Sequence, residues 1–277
     1  GTLTATSTGG ENHIRGSILT NNGTITGNNF YFDTTTSVSG TGSYTVSNIY
    51  ISANGNISLL NDVNVNPVSV FQIKTGGTLN PNGRTFTIIS GTLAMETGAT
   101  ISASGLIRTQ NGPGFNIAGG AFFNADLNIN TGTTISYNGT GNPAIYYGDV
   151  TIDAGATFNG GNISGTKAYY YGSVTNNGTL TATSTNGMNR IRGNTLINNG
   201  VVSGYNFWFD TTTAFSGTGS FTTNANFNTN ANVTLLNGHQ MLSLSINTGS
   251  SFNITGRVLK LSGGSPISQN GTFTQTN

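Results

Sequence analysis

The chain has 277 residues, 41 of them Gly and none Cys, with 6% charged residues and a formal net charge of +1. A chain without thiols has no disulfide scaffold and no thiolate metal site. So small a charge gives no electrostatic reason to expect nucleic acid or an acidic membrane as partner. Disorder is excluded as well, because short β-branched and aromatic runs recur along the whole sequence.

The opening stretch is written twice. Residues 1–43 return at 178–220 with a constant offset of 177 and 30 identities in 43 positions. Self-similarity on this scale marks a repeat protein. Gly1 has no Met before it, and its copy Gly178 lies inside the longer phrase NNGTL, so the chain reads as starting inside a longer precursor or filament, with the second copy cut short at the C-terminus.

Taken in order, the apolar residues alternate over four to six positions between Gly and Asn punctuation, as in 43–47 (SYTVS), 48–52 (NIYIS), 56–60 (NISLL), 84–89 (RTFTII), 149–153 (DVTID) and 220–223 (SFTT). This period of two predicts short half-buried strands, and no stretch reads as helix. No apolar run approaches the roughly 20 residues of a membrane-spanning helix.

A shorter rhythm lies inside the long one. Gly55, Gly77, Gly98 and Gly120 step by 22, 21 and 22, and Gly132, Gly155, Gly178 and Gly200 by 23, 23 and 22. The two series are displaced by about half a period, which gives at least two strands to each coil, and the offset of 177 is close to eight such coils. Superposing periods sets Leu127, Val150, Val174 and Leu196 in one column and Ile135, Phe158, Leu180 and Val202 in another. Like side chains at one period per rung are what a parallel solenoid requires, since stacking at about 4.8 Å builds the core that no rung has alone.

The expected fold is therefore all-β. It is a parallel β-helix of about 22 residues per coil, continuous over residues 1–277, with no helical domain. Right-handed winding follows from the handedness of parallel crossovers, and about 12 rungs would make a rod near 60 Å long. A β-sandwich array or an antiparallel barrel would explain the strands but not the columns. The Asn-Asn-Gly phrases at Asn21, Asn176 and Asn198 are expected to form left-handed corners, and stacked Asn to form amide ladders.

Chemistry-bearing residues are sparse. His13 and His239 are the only histidines, and Arg190 stands opposite His13 in the second copy, so no zinc site and no other metal or cofactor is expected. Asp126, Asp149 and Asp153 form the best acid cluster, with Asp126 and Asp149 one period apart. Paired acids of this kind serve β-helix polysaccharide-cleaving enzymes, yet no base recurs beside them, and the chain is read as a non-enzyme. Lys74 and Glu96, 22 apart, are expected to pair along the axis; the repeated Arg15/Arg192 and Arg84/Arg257 are expected to cap corner carbonyls. Thr-rich stretches such as 2–8 and 34–36 fall in different registers, which argues against the flat array of an ice-binding face.

The aromatic residues are the most informative. NFYFD (29–33) recurs as NFWFD (206–210), so alternation turns Phe30, Phe32, Phe207 and Phe209 inward and leaves Tyr31 and Trp208 outward. AIYYG (144–148) and AYYYG (168–172) are 24 apart, which stacks Tyr146 on Tyr170 and Tyr147 on Tyr171. Tyr31, Trp208, Tyr147 and Tyr171 are thus candidates to hold surface glycans or a partner protein; the alternative is ring stacking that stiffens the rod.

With NNGTLT (176–181), SGTGSY (39–44) and TGGTLNPNG (75–83), the chain resembles the low-charge β-helical repeat regions of large secreted bacterial surface proteins, filamentous-haemagglutinin-like and autotransporter-like adhesins and Bacteroidetes-type fibres among them. The resemblance implies secretion and display at the cell surface, and a structural role as fibre or adhesin stalk. It transfers no functional residue. Uncapped solenoid ends would expose strand edges that pair head to tail, so self-association through solenoid ends or neighbouring repeats is expected.

Overall fold

The computed structural model describes residues 1–4, 10–118, 120–137, 143–162, 164–228, 230–263 and 267–275. Part of the Thr-rich stretch 2–8 lies outside the described residues. Every regular element among those described is a β-strand and every strand pairing is parallel. The chain is a β-solenoid of about 12 turns spaced by about 21 residues. Among the described residues no helix is long and apolar enough to cross a membrane.

Each coil visits three faces, within the expectation of at least two strands per coil. In the lower part of the rod Val63–Val65 lies on the first face, Val70–Ile73 on the second and Thr78–Asn80 on the third; Thr85–Ile88, Thr92–Met95 and Thr100–Ile101 then lie over them in the same order. In places one strand runs straight through a corner: Thr24–Phe32 and Ser43–Ile51 span the first two faces, and Ser220–Phe227 and His239–Ile246 span the second and third. The expected columns are present. Leu127 stands on Val150, Val150 on Val174 and Val174 on Leu196; Ile135, Phe158, Leu180 and Val202 stack likewise.

The interior follows from alternation. Inward residues of all three faces, from Ile25 and Phe30 to Ile246 and Phe252, merge into one apolar core along the axis. Tyr146 stacks on Tyr170 with ring centroids 5.6 Å apart, and both rings are buried. Asn21, Asn176 and Asn198 do not form left-handed corners; among the described residues the positive-φ non-Gly positions are Asn82, Ser104, Asn111 and Asn230. The three Asn are buried instead. Asn176 Nδ2 donates to Asn198 Oδ1 at 2.8 Å, and Asn21 and Asn198 donate to the carbonyls of Ser43 and Ser220, one coil on. An inward amide must find partners or it costs stability, and stacking a like residue above it supplies one. The sharp bend is carried by glycine: Gly40 and its copy Gly217 have φ of 101° and 111°, and a Cβ on either would strike the backbone of Asn21 or Asn198 in the coil below.

The long repeat does not close on a whole number of coils. Following register from Leu3 through Ile25, Tyr44, Val65, Ile88, Thr109, Ile129 and Ile152 reaches Asn176 after eight steps. Leu180, the copy of Leu3, comes later in the chain than Asn176 and lies on the next face. The displacement persists throughout the copy. Thr2–Thr4, Glu11–Ile14 and Ile18–Thr20 occupy faces one, two and three, whereas Thr179–Ala182, Met188–Ile191 and Thr195–Asn198 occupy faces two, three and one. The repeat is eight coils and a third, so the second copy is turned by one face.

Candidate functional site

The outward side chains of the repeated NFYFD and NFWFD strands sit in two ladders. In the first copy, on the second face, His13, Tyr31 and Tyr50 are register neighbours on three successive coils. Their rings stack, with centroids 4.9 Å apart (9° between planes) for His13 and Tyr31 and 4.7 Å (17°) for Tyr31 and Tyr50. Lys74 Nζ lies 5.2 Å from the Tyr50 ring centre. In the next column, Asp33 accepts from His13 Nδ1 (2.7 Å), Arg15 Nε (3.2 Å) and Ser52 Oγ (2.7 Å). Burial works against the Asp33 carboxylate, but the bonds from Ser52, His13 and Arg15 outweigh it and hold its pKa below the usual value.

The second copy builds the same device on the third face. Asp210 accepts from Arg190 Nη2 (2.8 Å), Arg192 Nε (2.9 Å) and Asn228 Nδ2 (3.3 Å). Arg190 lies over Tyr169 and Trp208 at 5.4 and 5.5 Å, and Arg192 over Tyr169 and Tyr171 at 4.1 and 5.4 Å, while Arg192 Nη1 donates to the Tyr171 hydroxyl at 2.6 Å. Guanidinium planes between aromatic faces gain cation–π attraction with little loss of hydration. Burial opposes the charge on Arg192; the bonds to Asp210 and Tyr171 outweigh it and raise its pKa. Arg15 and Arg192 therefore grip carboxylates of the following coil rather than corner carbonyls. In both copies an acid follows the Arg at the same distance, a little less than one period on, and that recurrence was the readable signal for this pairing.

All four aromatic candidates have places in this scheme. Phe30, Phe32, Phe207 and Phe209 point inward as expected. Tyr31 is half-buried, and its two ring faces are covered by His13 and Tyr50. Trp208 is half-buried beneath Arg190, with its Nε1 buried and unpaired. Tyr147 and Tyr171 stack at 5.0 Å and remain 42% and 39% exposed. Tyr31 and Trp208 look out from different faces, so they do not form one platform. Tyr147 and Tyr171 do share a face edge with the Arg pair, and Phe122, exposed two coils below Tyr169, extends that strip.

Of the remaining candidates, Asp126 and Asp149 are neighbours on successive coils, as their spacing implied. Asp126 Oδ1 accepts the Asp149 amide (2.9 Å) and Asp149 Oδ1 accepts the Ser173 amide (2.7 Å), so each carboxylate caps the start of the strand above. Asp153 accepts from Asn128 Nδ2 at the opposite end of the strand, about 13 Å along it from Asp149 at strand rise, beyond the span of a glycosidase acid pair. Lys74 and Glu96 do not pair: Glu96 accepts from Gln72 and Thr75, while Lys74 lies over Tyr50. Among the described residues no group of three or more His, Cys, Asp or Glu is placed to hold a metal. Two open surface hollows, of about 480 and 390 Å³, lie along columns of glycine, one beside Gly200, Gly219 and His239 and the other beside Gly1 and Gly23. No protein-family model, no curated protein and no solved structure matches this chain.

Proposed function

We propose that this chain is a length of an extracellular structural fibre or adhesin stalk, a stiff β-solenoid rod displayed at a bacterial surface and joined to further copies through its ends. One observation carries the reading. The charged and aromatic side chains at repeated positions of the two copies direct their bonds and ring faces to the coils above and below, as Arg15 does with Asp33, Arg192 with Asp210 and Tyr31 with Tyr50. Groups so used hold a rod together along its axis. Negative-stain microscopy tests the proposal. The expected images are rods about 60 Å long, by the rung spacing, that join into filaments; compact particles that never lengthen with concentration refute it.

A second reading rests on the exposed pair Tyr147 and Tyr171 beside Arg192. Exposed rings next to hydrogen-bond donors suit the apolar face and hydroxyls of a surface glycan. Glycan-array binding that is lost in Tyr147→Ala and Tyr171→Ala supports it, and an array without signal removes it.

A further inference from the structure

One of the two histidines lies in the first copy of the long repeat and the other in the coil that follows the second copy, and in each case the corresponding place on the other side of the repeat holds a residue that does not titrate near neutrality. His13 stands where the second copy has Arg190. His239 stands at the place that Val63 holds after the first copy: Tyr44 lies under Val65 as its repeat partner Phe221 lies under Met241, so Val63 and His239 hold the same inward place two residues earlier.

The two imidazoles have opposite surroundings. His13 bridges two carboxylates, with Nδ1 2.7 Å from Asp33 and Nε2 3.2 Å from Glu11, and lies flat on Tyr31. Only the protonated ring donates from both nitrogens. The charged and titratable groups facing it are Glu11 and Arg15 from its own strand region, Tyr31 and Asp33 from the coil above, with Tyr50 and Lys74 beyond. His239 is buried, stacked on Phe215 at 4.2 Å and edge-on to Phe221 at 6.3 Å. The backbone of Ser216 and of Gly219 faces the ring and favours its charged form, but neither ring nitrogen makes a full hydrogen bond and burial outweighs both. Among the charged residues, only Lys260, register partner of Gln240, lies beside the hollow over this ring, and no carboxylate lines it.

We propose that the two histidine sites answer to pH in opposite senses: the coils stapled by His13 tighten on acidification, and the coils packed around His239 loosen. A proton on His13 completes two charge-assisted bonds. A proton on His239 puts a cation among phenylalanine rings, where burial opposes it more than the backbone of Ser216 and Gly219 favours it. The pKa values run the same way. That of His13 is raised by the bonds to Asp33 and Glu11, so its contribution is complete below the ordinary value of 6.5 and is lost as pH rises through the raised one. That of His239 is lowered by burial, so the stability of the neutral ring is complete above 6.5 and is lost as pH falls through the lowered one. The rod would be held at both sites only near the middle of this range, and the weaker one would change with pH.

Hydrogen–deuterium exchange, corrected for intrinsic rates, tests this between about pH 5 and about pH 8.5, a window set by the ordinary imidazole range. The expected result is a severalfold loss of protection in Glu11–Ile14 toward the alkaline end, and in Asn232–Leu235 and His239–Ile246 toward the acid end. His13→Arg should flatten the first profile and His239→Val the second, each variant borrowing the residue of the corresponding place. Should a variant fail to fold, NMR titration of the two imidazoles in the unaltered chain decides the matter, with His13 titrating above the ordinary value and His239 below it. Two imidazoles titrating on the same side, or sites that lose protection in the same direction, would overturn the proposal.

Discussion

Asp33 and Asp210 occupy the same place in the repeated sequence and look out from different faces of the rod, because eight coils counted from Leu3 end at Asn176, short of its copy Leu180. Each carboxylate fastens a coil to the one before it through an Arg at the same spacing. The two staples differ in depth. The Asp210 side chain is 8% exposed and its partner Arg190 17%, whereas Arg15 is 72% exposed.

That difference in depth sets unequal costs for removing the acid. Asp210→Ala leaves Arg190 and Arg192 close together without their counter-charge, and breaking a buried pair from one side costs about 3 kcal/mol. Asp33→Ala breaks a more exposed pair, and the expected cost is about 1 kcal/mol. Thermal melts of the two variants compare them directly. Equal shifts would show that the fork on the third face is no more than a surface ion pair.

The inward amides give a second prediction. Asn198→Ala removes the acceptor for Asn176 Nδ2, which keeps the Val201 carbonyl, and removes the donor to the Ser220 carbonyl. Leaving buried polar groups unmet should cost about 2 kcal/mol in denaturant unfolding. Asn199→Ala, one residue on, loses only the exposed bond to Asn177 and should fall within about 0.5 kcal/mol of the parent. If the two substitutions cost the same, the ladder contributes nothing beyond its surface counterpart.

Much of this architecture was legible in the sequence, and the parts that were not share a cause. The columns through Leu127 and Ile135 could be read because like residues recur at one period and only stacking explains them. The third face was hidden, since Ser43–Ile51 carries no Gly at its corner, and only a shift of the inward set from Tyr44 and Val46 to Ile49 and Ile51 marks the bend. The turn of one face between copies was hidden because coil length varies: the coil from Met188 to Asn206 is markedly shorter than the one from Val150 to Val174, and dividing by a mean period rounds away a third of a coil. Of the candidate sites, the stacking of Tyr147 on Tyr171 was visible as a spacing. The covering of Tyr31 by His13 and Tyr50 was not, because it depends on which residues two neighbouring coils place beside it. Lys74 and Glu96 are on successive rungs as the spacing implied, but Tyr50 and Gln72 compete for them and win.

Buried phenols make a prediction about alkali. Burial pushes Tyr44 and Tyr137 up to about 12, and drives Tyr146 and Tyr170 higher still. A phenol whose folded pKa is raised adds stability below its unfolded value of about 10, and that stability is lost as pH rises through the folded value. Tyr146 and Tyr170 should therefore develop the phenolate absorbance only as the coils open, in step with loss of the strand signal in circular dichroism. Ionisation of all ten tyrosines in one phase before that loss would mean that the centre of the rod is open to hydroxide.

The sharpest test of the coil geometry is a pair of glycine substitutions. Gly217 and Gly83 both have positive φ, 111° and 74°, so alanine at either meets the left-handed penalty of about 1–2 kcal/mol. They differ in what surrounds them. A Cβ at Gly217 runs into the Asn198 backbone one coil below, while at Gly83 it meets open space. Relieving the clash at Gly217 means lifting one coil off another at the level where Asn198 and Asn176 bond, so Gly217→Ala should cost about 2 kcal/mol or more beyond Gly83→Ala, the scale of other overpacking substitutions. Unfolding of both variants in urea, followed by circular dichroism, gives the difference. A Gly217→Ala rod no weaker than the Gly83→Ala rod would mean that neighbouring coils are not held in the contact that the stacking of Asn21, Asn198 and their glycines describes.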